Sequence, residues 1–117
     1  MKETGKVIYV GAIRRGIAAR SGNEWVSQDF VIETLERYPR KLAFTMFGEV
    51  SITNAALRTG EEIEVIGYAD SHEYNGSWYT ELRCTDICVG GRSRIAQYTI
   101  DSAPLPPQQT QQDNLVF

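Results

Sequence analysis

Residues 24–47 read EWVSQDFVIETLERYPRKLAFTMF, and the alternation inside this stretch decides the fold. Over 24–35 it sets Val26, Phe30 and Ile32 on one side of an extended chain and Trp25, Ser27 and Val31 on the other. A period of two is that of a strand with one face in a core. Tyr38-Pro39 breaks the pattern, because proline brings no amide donor to a ladder. It resumes over 41–47, with Leu42, Phe44 and Met46 opposite Ala43, Thr45 and Phe47, until Gly48 stops it.

Working outward, residues 3–14 read as a first strand, with Ile8 and Val10 on one face and Val7 and Tyr9 on the other. The strand ends at Arg14-Arg15, and a Gly-, Ala- and Ser-containing connector runs from Gly16 to Asn23. Residues 49–58 (EVSITNAALR) suit one short helix closed by Gly60. Glu61 to Glu73 returns to strand alternation with Ile63 and Val65 on one face. Tyr74-Asn75-Gly76-Ser77 supplies a hairpin turn with Asn-Gly at its centre, and Trp78 to Val89 is the return strand. The order strand, strand, strand, helix, strand, strand predicts a mainly β protein: a five-stranded OB-fold Greek-key barrel with its helix between the third and fourth strands.

Gly90-Gly91-Arg92-Ser93 reads as a strand exit and residues 95–100 as a short extra strand, which puts the domain at 1–100. Residues 101–117 read as a flexible tail. APLPPQQTQQDN holds three prolines and four glutamines and buries too little apolar surface to offset the entropy of ordering. It nevertheless ends in Leu115, Val116 and Phe117, an apolar tip that a partner pocket would explain.

Composition removes several classes of function. A chain of 117 residues suits one domain, and no apolar run nears the roughly 18 residues of a membrane span. The N-terminus carries no secretory h-region, so a cytoplasmic protein is expected, in the host cytoplasm if phage-encoded. Cys84 and Cys88 lie four apart on a strand, on one face but about 13 Å apart, too far to bridge. With His72 the sole histidine, the Cys/His sets that hold zinc are missing, and no metal or cofactor is expected. No Ser/His/Asp set, GxxxxGK[ST] loop or GxGxxG turn occurs, so an enzyme is not expected.

The net charge of −3 is unevenly spread. Residues 1–48 hold eight Lys/Arg against five Asp/Glu (+3), residues 49–89 two against eight (−6), and the remainder two of each. Local potential rather than total charge steers a ligand, so one basic and one acidic face are compatible with a polyanion partner.

The run SGNEWVSQDFVIETLERYPRKLAFTMFG, followed after the helix by EYNGSWYTELRCTDI, resembles a Bacteroidetes-associated family of small OB proteins of unassigned function that look like single-stranded DNA binders. More distantly it is similar to bacterial single-stranded DNA-binding proteins. The resemblance covers roughly residues 3–89, through EW-x-x-Q-x-FVIET, F-T-x-F-G and YNG-x-WYT-x-L. It implies that Phe47, at its strand end, stacks on a base; the competing reading is packing beneath the helix or in a subunit interface. The relatives often end in an acidic tail with an Asp-Leu-Pro-Phe-like tip that recruits replication and repair proteins. Here the tip is DNLVF, without the acidic run or the proline.

Single strands are held by a positive groove and by aromatic faces on which bases stack. Tyr74 and Trp78 flank the turn in the loop that forms one wall of an OB groove, or else clamp the hairpin as a cross-strand pair. Trp25 starts the second strand on its outer face, for stacking or for barrel-end packing. Arg14, Arg15 and Arg20 bracket the first loop, the opposite wall, and Arg40 and Lys41 follow as phosphate partners or solvated charges. Arg83 shares a face with Glu81 and is read first as an ion pair. Tyr9, Tyr38, Tyr68, Tyr79, Phe30 and Phe44 are assigned to core or interface.

Two functions follow as expectations. One is sequence-nonspecific single-stranded DNA binding in bacterial or phage replication, recombination or repair, with RNA not distinguished by stacking alone. The other is an assembly module without nucleic-acid binding. A homo-oligomer, dimer or tetramer, is expected from the small core, with Val31 and Ala43 at its interface.

Overall fold

The computed structural model describes residues 1–95. These form β1 (Lys2–Val10), β2 (Arg14–Ile17), β3 (Glu24–Thr34), β4 (Lys41–Phe47), α1 (Glu49–Ala55), β5 (Glu62–Tyr74), β6 (Ser77–Val89) and β7 (Arg92–Ser93). The expected tail, its tip Leu115, Val116 and Phe117, and residues 96–100 of the expected last strand lie outside the described residues. Arg94 and Ile95, the residues just before, are helical.

The five long strands run in the order β1-β5-β6-β4-β3, and β1 pairs back onto β3, so the sheet closes. Their ladders are antiparallel except for β4 with β6, which is parallel. Closure in this order, with α1 between the third and fourth long strands, is the OB barrel that the sequence predicts. β2 and β7 are additions. The expected first strand does not run unbroken to Arg14: it ends at Val10, the Gly11 amide donates to the Asp29 carbonyl at 2.8 Å, and after residues 11–13 the chain continues in the same direction along β3 as the separate strand β2.

The alternation of β3 and β4 is as expected. Phe30, Ile32, Phe44 and Met46 are buried, and the Phe30 and Phe44 rings stack across the two strands with centroids 5.6 Å apart. Val7, Ile63, Val65 and Ile87 complete the barrel interior, and Ile52 and Ala55 of α1 join the same core. Burying a side chain of this size contributes roughly 1.5–3 kcal/mol, so this shared interior fixes which face of each strand is outward.

Two bulges change faces that simple alternation assigns. In β1, Val7 pairs with Ile32 and Tyr9 with Val31, leaving Ile8 as the extra residue. Val7 and Val10 therefore turn inward and Tyr9 outward, against the expectation that Val7 and Tyr9 share a face. In β6, Gly67 pairs with Cys84 and Ile66 with Asp86, leaving Thr85 extra. Cys84 and Ile87 face the core while Cys88 faces out, so the two cysteines do not share a face. Both are free thiols.

The helix ends at Ala55, earlier than the predicted 58, because Ala56 adopts a left-handed conformation (φ 43°). Arg94 seals this end: it donates to the Ala55 carbonyl at 2.8 Å and pairs with Glu61. The Asn75-Gly76 turn forms as expected, with positive φ at both residues (52° and 81°). Beyond the barrel, residues 68–81 of the β5–β6 hairpin are exposed on both faces, a ribbon projecting from the body.

Candidate nucleic-acid interface

Register gathers the site on the outward face of β2, β3, β4 and β6. Gly16 lies opposite Trp25, Arg14 opposite Ser27, Ser27 opposite Phe47, and Asp29 opposite Thr45. The parallel ladder then sets Arg83 beside Thr45. Arg14, Trp25, Ser27 and Phe47 line a cleft of about 450 Å³, with buried Ser27 among its walls. A larger depression of about 610 Å³, also bordered by Arg14, continues along Asp29, Thr45, Val31, Ala43, Lys41 and Tyr9.

Trp25 is 39% exposed and lies over Gly16, a neighbour with no side chain to displace it. Phe47 is 44% exposed, and the Arg83 guanidinium sits over its ring, 4.8 Å from the centroid. Gly48, which follows Phe47, has φ 102°, a value that glycine adopts freely, and lets the chain leave β4 for α1.

The arginines divide sharply. Arg14 points into the cleft and pairs with Asp29 at 3.0 Å; Asp29 also accepts from Thr45 Oγ1 at 2.8 Å. Arg15, one residue on, is on the opposite face of β2. There it forms two hydrogen bonds to Glu49 at the start of α1, which raise its pKa and lower that of Glu49. Arg15 therefore holds the edge strand to the helix and is not in the cleft. Arg40 is likewise committed elsewhere: Glu36 and Glu3 bind it at the far end of β4, and its bond to Glu36 is the main cause that lowers the Glu36 pKa. Arg20 lies in the exposed β2–β3 turn, where it has no ion pair among the described residues. Lys41 is exposed opposite Glu33 at the distant end of the larger depression.

The ribbon separates the two aromatics that flank its turn. Tyr74 pairs with Ser77, so Trp78 faces Glu73 and lies on the other face; the alternative of a Tyr74–Trp78 clamp is corrected. Tyr74 shares its face with the pairs His72–Tyr79, Asp70–Glu81 and Tyr68–Arg83, a row that leads back to Phe47. Trp78 does not belong to that row.

Three residues that the sequence reading leaves aside, Tyr68, Tyr79 and Arg83, thus belong to the site's face. Tyr68 (51% exposed) and Tyr79 (50%) are on the surface, as are Tyr9 and Tyr38, so none of the four tyrosines is core. Arg83 does pair with Glu81, at 3.0 Å, but it also covers Phe47. A two-residue Asn-Gly turn makes positions 74 and 77 partners and hence 68 and 83, a register that the sequence already carries.

A closed five-strand barrel, with Arg14, Trp25, Ser27 and Phe47 lining an outward cleft and Arg83 over the Phe47 ring, is an OB-fold protein. The chain belongs to a family described as a domain of unknown function (DUF3127), whose model matches residues 3–87. Its fold is similar to that of the mitochondrial single-stranded DNA binding protein of S. cerevisiae (TM-score 0.58, 18% identity, covering 77% of this chain and 92% of that one). It is also similar to the SSB domain of a protein from Synechococcus sp. (TM-score 0.51, 18% identity, covering 74% and 90%). No curated protein matches the sequence. Among the described residues no helix is long and apolar enough to cross a membrane.

Proposed function

We propose that the protein binds single-stranded DNA without sequence preference, passively and with no covalent step, in bacterial or phage replication, recombination or repair. The observation that carries this reading is the cleft in which exposed Trp25 and Phe47 rings stand beside Arg14. Stacking contributes roughly 1–3 kcal/mol per base, while the arginine neutralises phosphate. The likeness to single-stranded DNA-binding proteins supports it at the level of the fold. RNA would stack equally well on these rings, and a homo-oligomer would multiply the sites along one strand.

The test uses the Trp78→Phe variant, so that fluorescence reports Trp25 alone, titrated with oligo(dT) of about 35 nucleotides, longer than one OB-fold site. Saturating quenching that weakens with salt, is absent with duplex and is lost in Phe47→Ala supports the reading. An unchanged Trp25 signal together with no binding at low salt overturns it.

One observation favours a second reading, an assembly module. Both arginines on the cleft face already have carboxylate partners, Arg14 with Asp29 and Arg83 with Glu81. A face neutralised in this way suits a protein partner as well as a polyanion. Binding that ignores salt and requires the exposed Tyr9 or Tyr68 would favour it.

A further inference from the structure

Phe47 is the aromatic that an incoming base would be expected to cover, yet one face of its ring is already occupied. The Arg83 guanidinium lies over it at 4.8 Å, a distance at which the cation is attracted to the ring's π-cloud. The guanidinium is held from the side as well, through Nε at 3.3 Å and Nη2 at 3.0 Å to the same Glu81 oxygen. Its side chain is 30% exposed. The guanidinium carbon thus sits over the ring, with the group tethered at one edge and open to solvent in part.

Resting on the reading above, we infer that Arg83 is the stacking platform of this site, presenting its guanidinium plane to an unpaired nucleobase while Phe47 supports it from below. Guanidinium planes stack on π-faces and are more weakly hydrated than an ammonium, so a base can settle on one with little desolvation. Tyr68 lies directly opposite Arg83 in the β5–β6 ladder, on the same face, and the row continues with Tyr79 and Tyr74. A strand leaving Arg83 would therefore meet further rings along the ribbon. The ligand class is a single-stranded polynucleotide with its bases unstacked.

The experiment measures anisotropy of fluorescein-labelled oligo(dT) against the full chain and its Arg83 variants, over a range of salt. Far-UV circular dichroism and the melting temperature establish that each variant is folded. Arg83→Lys keeps the charge and removes the plane; Arg83→Gln keeps a planar amide and removes the charge. A platform predicts that Arg83→Lys weakens binding about tenfold or more with an unchanged salt slope. It also predicts that at high salt Arg83→Gln binds more tightly than Arg83→Lys. Wild-type affinity in Arg83→Lys would make Arg83 a simple phosphate partner and overturn the inference. Tighter binding by Arg83→Ala than by the wild type would make the arginine a lid over Phe47 and overturn it equally. Absence of binding by the wild-type chain at low salt is a different result, since it removes the single-strand reading itself.

Discussion

The Trp25 indole lies across Gly16, so close that a Cβ at position 16 would come within 2.6 Å of Cε2 and 2.9 Å of Nε1. The two residues face each other in the β2–β3 ladder, and the missing side chain of one is the seat of the other. Gly16→Ala must push the ring outward, because the backbone that carries the new methyl is fixed in the ladder. In a Trp78→Phe background this substitution is expected to change the Trp25 emission and to weaken oligo(dT) binding. Overpacking of this kind costs about 1–3 kcal/mol, to be read as a lower urea midpoint.

Arg14 and Arg15 are adjacent in sequence but separate in role. Arg14→Ala is expected to make the salt dependence of single-strand binding less steep by about 0.7 in the log-log plot, the loss of one phosphate contact. Arg15→Ala should leave affinity and slope unchanged, since its partner is Glu49 on the other face. Equal effects of the two variants would contradict the division of faces.

The Phe30–Phe44 stack lies in the barrel interior with essentially no exposure of either ring. Phe44→Ala leaves a void between β3 and β4 and is expected to cost about 3–5 kcal/mol in denaturant unfolding. Phe47→Ala, three residues further along the same strand but facing out, should cost far less stability while it removes binding.

Arg94 holds the Glu61 carboxyl below its ordinary pKa, chiefly through the hydrogen bond between them. A depressed carboxylate pKa contributes stability that is fully present above the unfolded value, near 4.5, and is lost as pH falls through the folded value. Melting temperature should therefore drop with acidification below about pH 4.5. Glu61→Gln should flatten that part of the profile and lower stability at neutral pH.

Burial pushes the Cys84 thiol up to about 12, and the outward-facing Cys88 is raised as well, again mainly by burial. In the native protein at pH 8, a thiol reagent should therefore label Cys88 slowly and leave Cys84 untouched, whereas both should react in urea. Mass spectrometry of the labelled peptide distinguishes the two. Rapid labelling of Cys84 would mean that the core face of β6 is not as described.

Much of the barrel is legible in the sequence because burial imposes period two wherever a strand is regular. Val26, Phe30, Ile32, Phe44 and Met46 all face inward as their spacing requires. Alternation fails where the backbone inserts a residue, at Ile8 and Thr85, since nothing in the side-chain pattern marks an extra position in a ladder. That is why it gives Tyr9 and Cys88 the wrong face. Arg15 is misplaced for a related reason: as the end of a strand and the start of a loop it has no parity, whereas β2 gives it one. Phe47, Trp25 and Arg14, which the sequence singles out, line one cleft. Sequence shows Arg83 only as the partner of Glu81, because the parallel β4–β6 pairing that brings it over Phe47 joins segments far apart in the chain.

The single additional residue at Thr85 divides β6 into two halves of opposite phase. Before it, even-numbered side chains such as Leu82 and Cys84 look inward; after it, odd-numbered Ile87 does. Gly67 faces this junction across the ladder, and any side chain there would run into the Arg83 carbonyl. The strand thereby keeps interior contacts on both sides of the junction, through Leu82 and Cys84 before it and Ile87 after it, while residues 77–81 are exposed on both faces. What the ribbon presents to a ligand is therefore set by side chains that take no part in filling the barrel.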